Sequence, residues 1–335
     1  MKISQKALAC NLSPMRKFHP FAVAATNNGK KIYHLNIGQP DIATPPAYFE
    51  AVRNFELPVL EYAPSPGLPV LIKAVQDYYD KLGIHYEESD ILITTGGSEA
   101  LQMLMLSILD DGSEVIIPEP FYPNYNTFIK SAGGTIRPLT TSPEGGYRYA
   151  FREKLEALIN ENAVIIDSVS KRFSACGARI GTIITRNKEL QQNLMKFCQA
   201  RLSVATLDQI ASAALYSVDS DYFDAVRKEY KLRRDTCYNK LLEIPGVVVK
   251  EPQGAFYMMA ALPVDNADTF QKWLLTDFDD NGDTVMFAPG EGFYATPGKG
   301  LNEIRIAYVL KQKDLERAMD LLALGIKKYN ETHCK

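Results

Sequence analysis

Residues 91–125, ILITTGGSEALQMLMLSILDDGSEVIIPEPFYPNY, constrain the fold more than any other stretch. The β-branched run ILITT meets Gly96-Gly97; apolar Leu101, Leu104, Met105, Ile108 and Leu109 then recur at helical spacing, and EVIIP follows Asp-Asp-Gly. That order predicts strand, helix, strand. At this length the unit is a βαβ crossover, which calls for parallel strands covered by helices on both faces. NAVIIDSVS (162–170) and ARIGTIITR (178–186) predict further strands, the second apolar enough to be buried on both sides. KIYHLNIGQPD (31–41) predicts a strand ending in a Gly/Pro turn, and residues 222–242 a long helix stopped by Pro245-Gly246. The remainder, with VVVKEPQGAFYMMA and IRIAYVL, has an α+β pattern. A large α/β domain followed by a smaller one is expected.

Bulk properties narrow the class without choosing a chemistry. A chain of 335 residues is ample for a large core in two lobes. A net charge of -3 gives no electrostatic reason to expect nucleic acid or an anionic membrane as partner. Cys10, Cys176, Cys198, Cys237 and Cys334 are scattered and include no C-x-x-C pair. They predict reduced thiols in a cytoplasmic protein, neither a disulfide framework nor a zinc site. His19, His34, His85 and His333 form no H-x-x-x-H pair, so no metal is expected. The N-terminus carries lysines but no unbroken apolar stretch of signal-peptide length, and no segment is long enough to span a bilayer.

Three groups of residues carry chemical potential. Gly96-Gly97-Ser98 lies where a strand turns into a helix. Unpaired N–H groups and the helix dipole there favour an anion, and glycine lets a phosphate approach the backbone. A plain turn with an N-cap serine is an equal reading of the same residues. Phe121-Tyr122-Pro123 follows the second strand, where a rigid ring can stack on a planar ligand; alone, a packed loop is the simpler account. In DSVSKRFSACGARIG (167–181), Ser168, Lys171 and Arg179 supply a hydroxyl, an amine and a fixed cation. The planar fork of arginine suits phosphate, and a poorly solvated lysine beside a cation becomes a nucleophilic amine. Singly, most lysines are merely solvated.

Taken whole, the string Ser168-Val169-Ser170-Lys171 with Ser174, Gly177, Arg179 and Gly181 resembles the cofactor-attachment signature of class I/II pyridoxal-phosphate aminotransferases, aspartate-aminotransferase-like. LNIGQPDIATPP (35–46), EYAPSPGLPVLIKAV (61–75), TTGGSEAL (94–101), PEPFYPNY (118–125), PQGAFYMM (252–259), APGEGFY (288–294) and EIRIAYV (303–309) are similar to further landmarks of that family, in its order. The resemblance implies a fold type I architecture: a large domain with a mixed, mostly parallel seven-stranded sheet covered by helices, plus a smaller α+β domain. The expected division is an arm and part of the small domain at 1–44, a large cofactor-binding domain at 45–230, and a small domain at 231–335. It further implies that Lys171 forms a Schiff base with pyridoxal 5'-phosphate. Gly96, Gly97, Ser98, Ser168 and Arg179 would hold the phosphate, and Tyr122 would stack on the ring. Tyr62 would reach the phosphate of a second subunit, making the protein a homodimer with shared sites. Gly38 and Arg305 would bind the substrate α-carboxylate. Arg305 also faces away from its flanking isoleucines, where a charge needs a partner. The implied reaction moves the amino group of an α-amino acid, with aspartate the first to assay, to a 2-oxo acid such as 2-oxoglutarate.

The family's centre is missing from this sequence. Its D-E-x-Y aspartate, which partners the ring nitrogen, and its N-P-x-N-P-T-G asparagine have no counterpart. ALINENAVIID passes directly from one unit into the strand of a later one. About two βα units, roughly 60 residues, belong near 158–163 by the family's pattern. Either they are deleted, leaving a catalytically silent protein, or the polypeptide carries a segment that this sequence omits. The second is preferred, because losing two interior strands leaves a parallel sheet with open edges. Asp167 is no substitute, being fixed by the backbone four residues before Lys171. Two rivals to a transaminase remain. A carbon–sulfur β-lyase would use the same lysine and cradle. A regulator with this fold would need a DNA-binding module, for which the roughly 30 residues before the first motif are too few.

Overall fold

The computed structural model describes residues 1–148 and 163–333; the junction near 158–163 lies outside the described residues. The chain divides into two compact units: Met1–Pro40, Gly112–Tyr149 and Ala225–Lys335 form the first, and Asp41–Asp111 and Ala150–Asp224 the second. The described strands are β1 (Lys31–His34), β2 (Ile91–Thr94), β3 (Glu114–Glu119), β4 (Thr135–Thr140), β5 (Val164–Ser168), β6 (Gly181–Thr185), β7 (Val248–Val249), β8 (Tyr257–Ala261), β9 (Asp283–Met286), β10 (Ala288–Pro289) and β11 (Glu303–Ala307).

The second unit is built on the three-stranded sheet β2-β6-β5, antiparallel at both pairings. Alternation along the strands sends Ile91, Ile93 and Ile184 to one core with Leu71, Val75 and Phe173, and Leu92 and Ile183 to another with Met103, Leu194 and Cys198. Every residue of β6 is thus buried, Thr182 and Thr185 included, as expected for a strand covered on both faces. Pro69 starts the helix Pro69–Lys81 at a position where its missing N–H costs nothing. The Asn187 side chain accepts from Leu190 N at 2.9 Å and caps Lys188–Arg201.

The first unit contains the antiparallel sheet β10-β11-β8-β7 and the parallel pair β1–β9. Helices Ala267–Thr276 and Gln312–His333 close over one core that includes Leu35, Phe270, Phe287, Ile304, Ile306 and Leu322. It also holds the parallel pair β3–β4, joined through the helix Asn124–Ser131.

One sequence expectation changes. The predicted βαβ crossover from β2 to β3 is not one: β2 pairs with β6, and the parallel crossover is β3–helix–β4. Strand pairing is a long-range choice that periodicity does not encode. Among the described residues no single sheet has seven strands, and the largest has four. Among the described residues β3 and β4 pair only with each other, and 112–149 group with the outer segments. The helix Gly96–Ile108 buries Ala100, Met103 and Leu104 but leaves Ile108 exposed. The β3–β4 pair is also uncovered: Ile116 is 76% exposed, and Leu139 is exposed too. No described helix is long and apolar enough to cross a membrane.

Candidate active site

In the second unit the register of the sheet assembles an anion cradle. Thr94 on β2 and Ser168 on β5 both lie opposite Gly181 on β6, so the carboxyl ends of β2 and β5 flank one glycine. A side chain at Gly181 would meet the Gly96 carbonyl carbon at 2.5 Å and Gly97 N at 2.6 Å. The strand can approach the turn only because that side chain is absent. Gly96 itself is left-handed, at φ +74°, and opens the 13-residue helix Gly96–Ile108. The Arg179 guanidinium lies against it, with Nη2 2.5 Å from where a Cβ would stand. A helix start, glycine N–H groups and a guanidinium at one point have the chemistry to hold an anion such as phosphate. Ser98 is exposed beside it. Glu99 in the first turn does not compete, since its carboxylate accepts from Thr95 N at 2.6 Å and pairs with Arg201 at 3.2 Å.

Lys171 lies in the single turn Val169–Arg172, immediately after Ser168. Its Nζ donates to Cys176 Sγ at 3.4 Å, and the residue is exposed. The following loop carries two non-glycine residues with left-handed backbone, Ser174 (φ 52°) and Arg179 (φ 53°). Such conformations cost about 1–3 kcal/mol each and persist where surroundings over-determine them. Here Thr44 Oγ donates to Ser174 O at 2.7 Å, and Arg179 Nη1 donates to Cys176 O at 3.1 Å. Asp167 is committed elsewhere: it pairs with Arg172 at 2.6 Å and accepts from Tyr79 Oη at 3.0 Å and Ser168 N at 2.7 Å. Burial, then the Asp167 charge, push the Tyr79 phenol up, so this hydroxyl stays a donor.

In the first unit Arg305 is the focus. It projects from β11, 9% exposed, between the rings of Tyr257 at 4.4 Å and Phe293 at 4.9 Å. Nη2 donates to Asn36 O at 3.0 Å and contacts Met15 Sδ at 3.4 Å, while Nε is buried with no partner among the described residues. Burial lowers the pKa of the guanidinium, and the phenols of Tyr257 and Tyr122 oppose that. No carboxylate among the described residues pairs with it. A desolvated cation with an idle donor could be completed by an anionic ligand. Asn36 Oδ1 is likewise buried and unsatisfied. Gly38 contributes room: a Cβ there would fall 1.8 Å from the Tyr257 hydroxyl. Tyr122 is 40% exposed, its hydroxyl accepts from Asn124 Nδ2 at 2.8 Å, and its ring meets the edge of Tyr125.

Gly96, Gly97, Ser98, Ser168, Lys171 and Arg179 thus fall in one unit around one end of one sheet, and Gly38, Tyr122 and Arg305 in the other. Tyr62 belongs to the second unit and projects into solvent, 82% exposed. Sequence reasoning missed Gly181 as the residue that lets strand and turn touch, and Tyr257 and Phe293 as the walls of Arg305. The last two lie inside PQGAFYMM and APGEGFY, where an aromatic residue shortly after a glycine is the available signal.

A family model described as Aminotransferase class I and II matches residues 30–166 and 148–322, two stretches that overlap at 148–166. Aspartate aminotransferase of Pyrococcus horikoshii is 26% identical over 385 positions covering 95% of each chain. At least 50 of those positions have no counterpart in a chain of 335 residues. Aspartate aminotransferase of Bacillus subtilis is 25% identical, covering 99% of this chain and 100% of its own. Among solved structures, alanine aminotransferase of Pyrococcus furiosus superposes with a TM-score of 0.87 at 25% identity, over 98% of this chain and 100% of its own.

Proposed function

The chain belongs to the class I and II aminotransferases and is a transaminase, and from that premise we propose that Lys171 is the lysine through which it takes up pyridoxal phosphate. The observation that carries this reading is the Gly96 turn, left-handed and roofed by Arg179, in the same unit as the exposed Lys171 amine. That cradle fits the phosphate: Gly97 N–H, Ser98, Ser168 and Arg179 would hold it. Tyr122 would offer its ring face to the pyridine, and Arg305 with the backbone at Gly38 would take the α-carboxylate of the substrate. Pyridoxal phosphate, when bound, supplies an aldehyde for amines and a conjugated ring that accepts the electron pair left at Cα. Lys171 Nζ would take the Cα proton as general base and then, as general acid, deliver it to the cofactor carbon that carried the aldehyde; with a 2-oxo acid as acceptor the same transfer would run backwards. Arg305 fixes the carboxylate, and with it the direction of the Cα–H bond. Aspartate with 2-oxoglutarate as acceptor is the first pair to assay, the activity named for two of the relatives above.

The ring nitrogen needs an acid beside it, and Asp167 is spent on Arg172 and Tyr79. We assign that acid to about two βα units that the family carries and this sequence does not. Three observations support the assignment: the overlap of the family matches at 148–166, the unmatched positions in the relatives, and Ile116 left bare on a parallel strand. The competent enzyme is then heavier than 37.4 kDa. Intact-mass measurement of an active preparation decides it, and full activity at 37.4 kDa would end the idea. The second unit also exposes Leu57, Val59 and Leu60 next to Tyr62, an apolar strip suited to a second copy in a homodimer. Free Cys10, Cys176, Cys198 and Cys237 suit a reducing, cytoplasmic setting.

The test is Lys171→Ala with added pyridoxal phosphate. The native chain should develop the visible absorption of a lysine adduct and the variant should not; an equally coloured variant would overturn the assignment.

A further inference from the structure

Phe293 is one wall of the Arg305 pocket, so whatever fixes Phe293 shapes the pocket. It ends the short turn Glu291–Phe293, and the loop that follows is gripped by two carboxylates, all within the first unit. Glu119, the last residue of β3, is 1% exposed. Its Oε2 accepts from Ala295 N at 3.0 Å and Thr296 N at 3.2 Å; its Oε1 accepts from Thr296 Oγ at 2.5 Å and Thr140 Oγ at 3.1 Å. Glu303 stands two residues before Arg305, on the same face of β11, and accepts from Tyr294 Oη at 2.5 Å and Tyr147 Oη at 3.1 Å. Backbone bonds close the frame: Phe121 N donates to Phe293 O at 2.8 Å, and Gly290 N to Glu303 O at 2.7 Å.

Among the described residues no cation pairs with Glu119. Its burial is sustained by four donors that fill its acceptor capacity. An apolar side chain would fill the same volume without desolvating a charge. What the carboxylate adds is direction, because charge-assisted bonds to two successive N–H groups fix the orientation of the loop as well as its contact.

We infer that Glu119 is a positioning residue for the substrate carboxylate. By holding Ala295 and Thr296 it sets Phe293 against Arg305, and it ties that loop to the strand end that carries Tyr122. The inference rests on the reading of Arg305 as the carboxylate anchor, and the experiment separates the two.

Titration calorimetry with maleate, a dicarboxylate without an amino group, reads the Arg305 pocket, and inorganic phosphate reads the Gly96 cradle. Both are measured well below the melting temperature of each variant. Arg305→Ala should nearly abolish maleate binding; if it does not, the anchor reading fails. With the anchor intact, Glu119→Ala should weaken maleate about tenfold, Glu119→Gln by less, and phosphate by under about twofold. Thr296→Val removes one donor without unpairing the buried backbone, should weaken maleate in the same direction, and serves if Glu119→Ala does not fold. Native maleate affinity in folded Glu119→Ala, or in Thr296→Val when that alone folds, overturns the inference. So does equal loss of phosphate, which would mark a purely structural role.

Discussion

At Gly96 an anion would meet backbone N–H groups, two hydroxyls and an exposed guanidinium; at Arg305 it would meet a guanidinium sealed between two aromatic rings. The first site distributes the positive charge over dipoles that remain solvated, so little is lost while no ligand is present. The second concentrates it on one desolvated side chain whose Nε has no partner among the described residues, which leaves the free protein under electrostatic tension that a carboxylate relieves. A phosphate can be held permanently by the first arrangement. A substrate that must come and go suits the second, because its binding is coupled to neutralising one charge.

The strongest way to break the comparison is at the amine beside the cradle. Lys171→Ala removes both the attachment point and the proton carrier, and turnover should fall by roughly 10³-fold or more. Phosphate affinity should change little, since Lys171 Nζ bonds to Cys176 and is not needed to shape the Gly96 turn. Steady-state rates beside phosphate titrations check both halves of the statement.

Next in size is Arg305→Ala. Charge-assisted hydrogen bonds are worth about 1.5–3 kcal/mol each, so kcat/KM for an amino acid should drop about 10²-fold or more. Arg305→Lys should recover only part of this, because an ammonium cannot present a planar fork from between Tyr257 and Phe293. A lysine variant with native kcat/KM would show that charge alone suffices, and that the ring walls have no orienting role.

The two sites were unequally readable from sequence, for a physical reason. The cradle is local: glycines at a strand-to-helix turn, a serine, and a lysine and arginine eight residues apart announce themselves through short-range backbone rules. Arg305 was legible as a charge on a strand that otherwise buries apolar residues, yet its walls were not. Tyr257 reaches it through the β8–β11 register and Phe293 through a loop held by Glu119, and both are long-range facts. The same limit explains the misread crossover. The helix between β2 and β3 was visible in the apolar period, but which strand β2 would pair with was not. The interruption proposed near 158–163 was legible only against the family's pattern, because nothing in the local residue sequence there breaks a backbone rule.

The smallest expected effect is also the most specific to the cradle. Gly96→Ala places a Cβ on a residue at φ +74°, a region that costs an L-residue about 1–2 kcal/mol. It also drives that Cβ to within 2.5 Å of Arg179 Nη2, the end of a flexible side chain that can swing away. The helix should therefore survive while the guanidinium leaves the turn, and the anion loses its fixed cation but keeps the N–H groups. Phosphate affinity should fall about tenfold and maleate affinity should not change. Gly97→Ala is the matched control, since its Cβ would meet only Ile166 at 3.9 Å, an ordinary contact. Equal losses in the two variants would mean that close approach to backbone, and not the placement of Arg179, governs the site. The contrast with Arg305 would then lie in dipoles against charge alone, with no shared dependence on where a guanidinium is held.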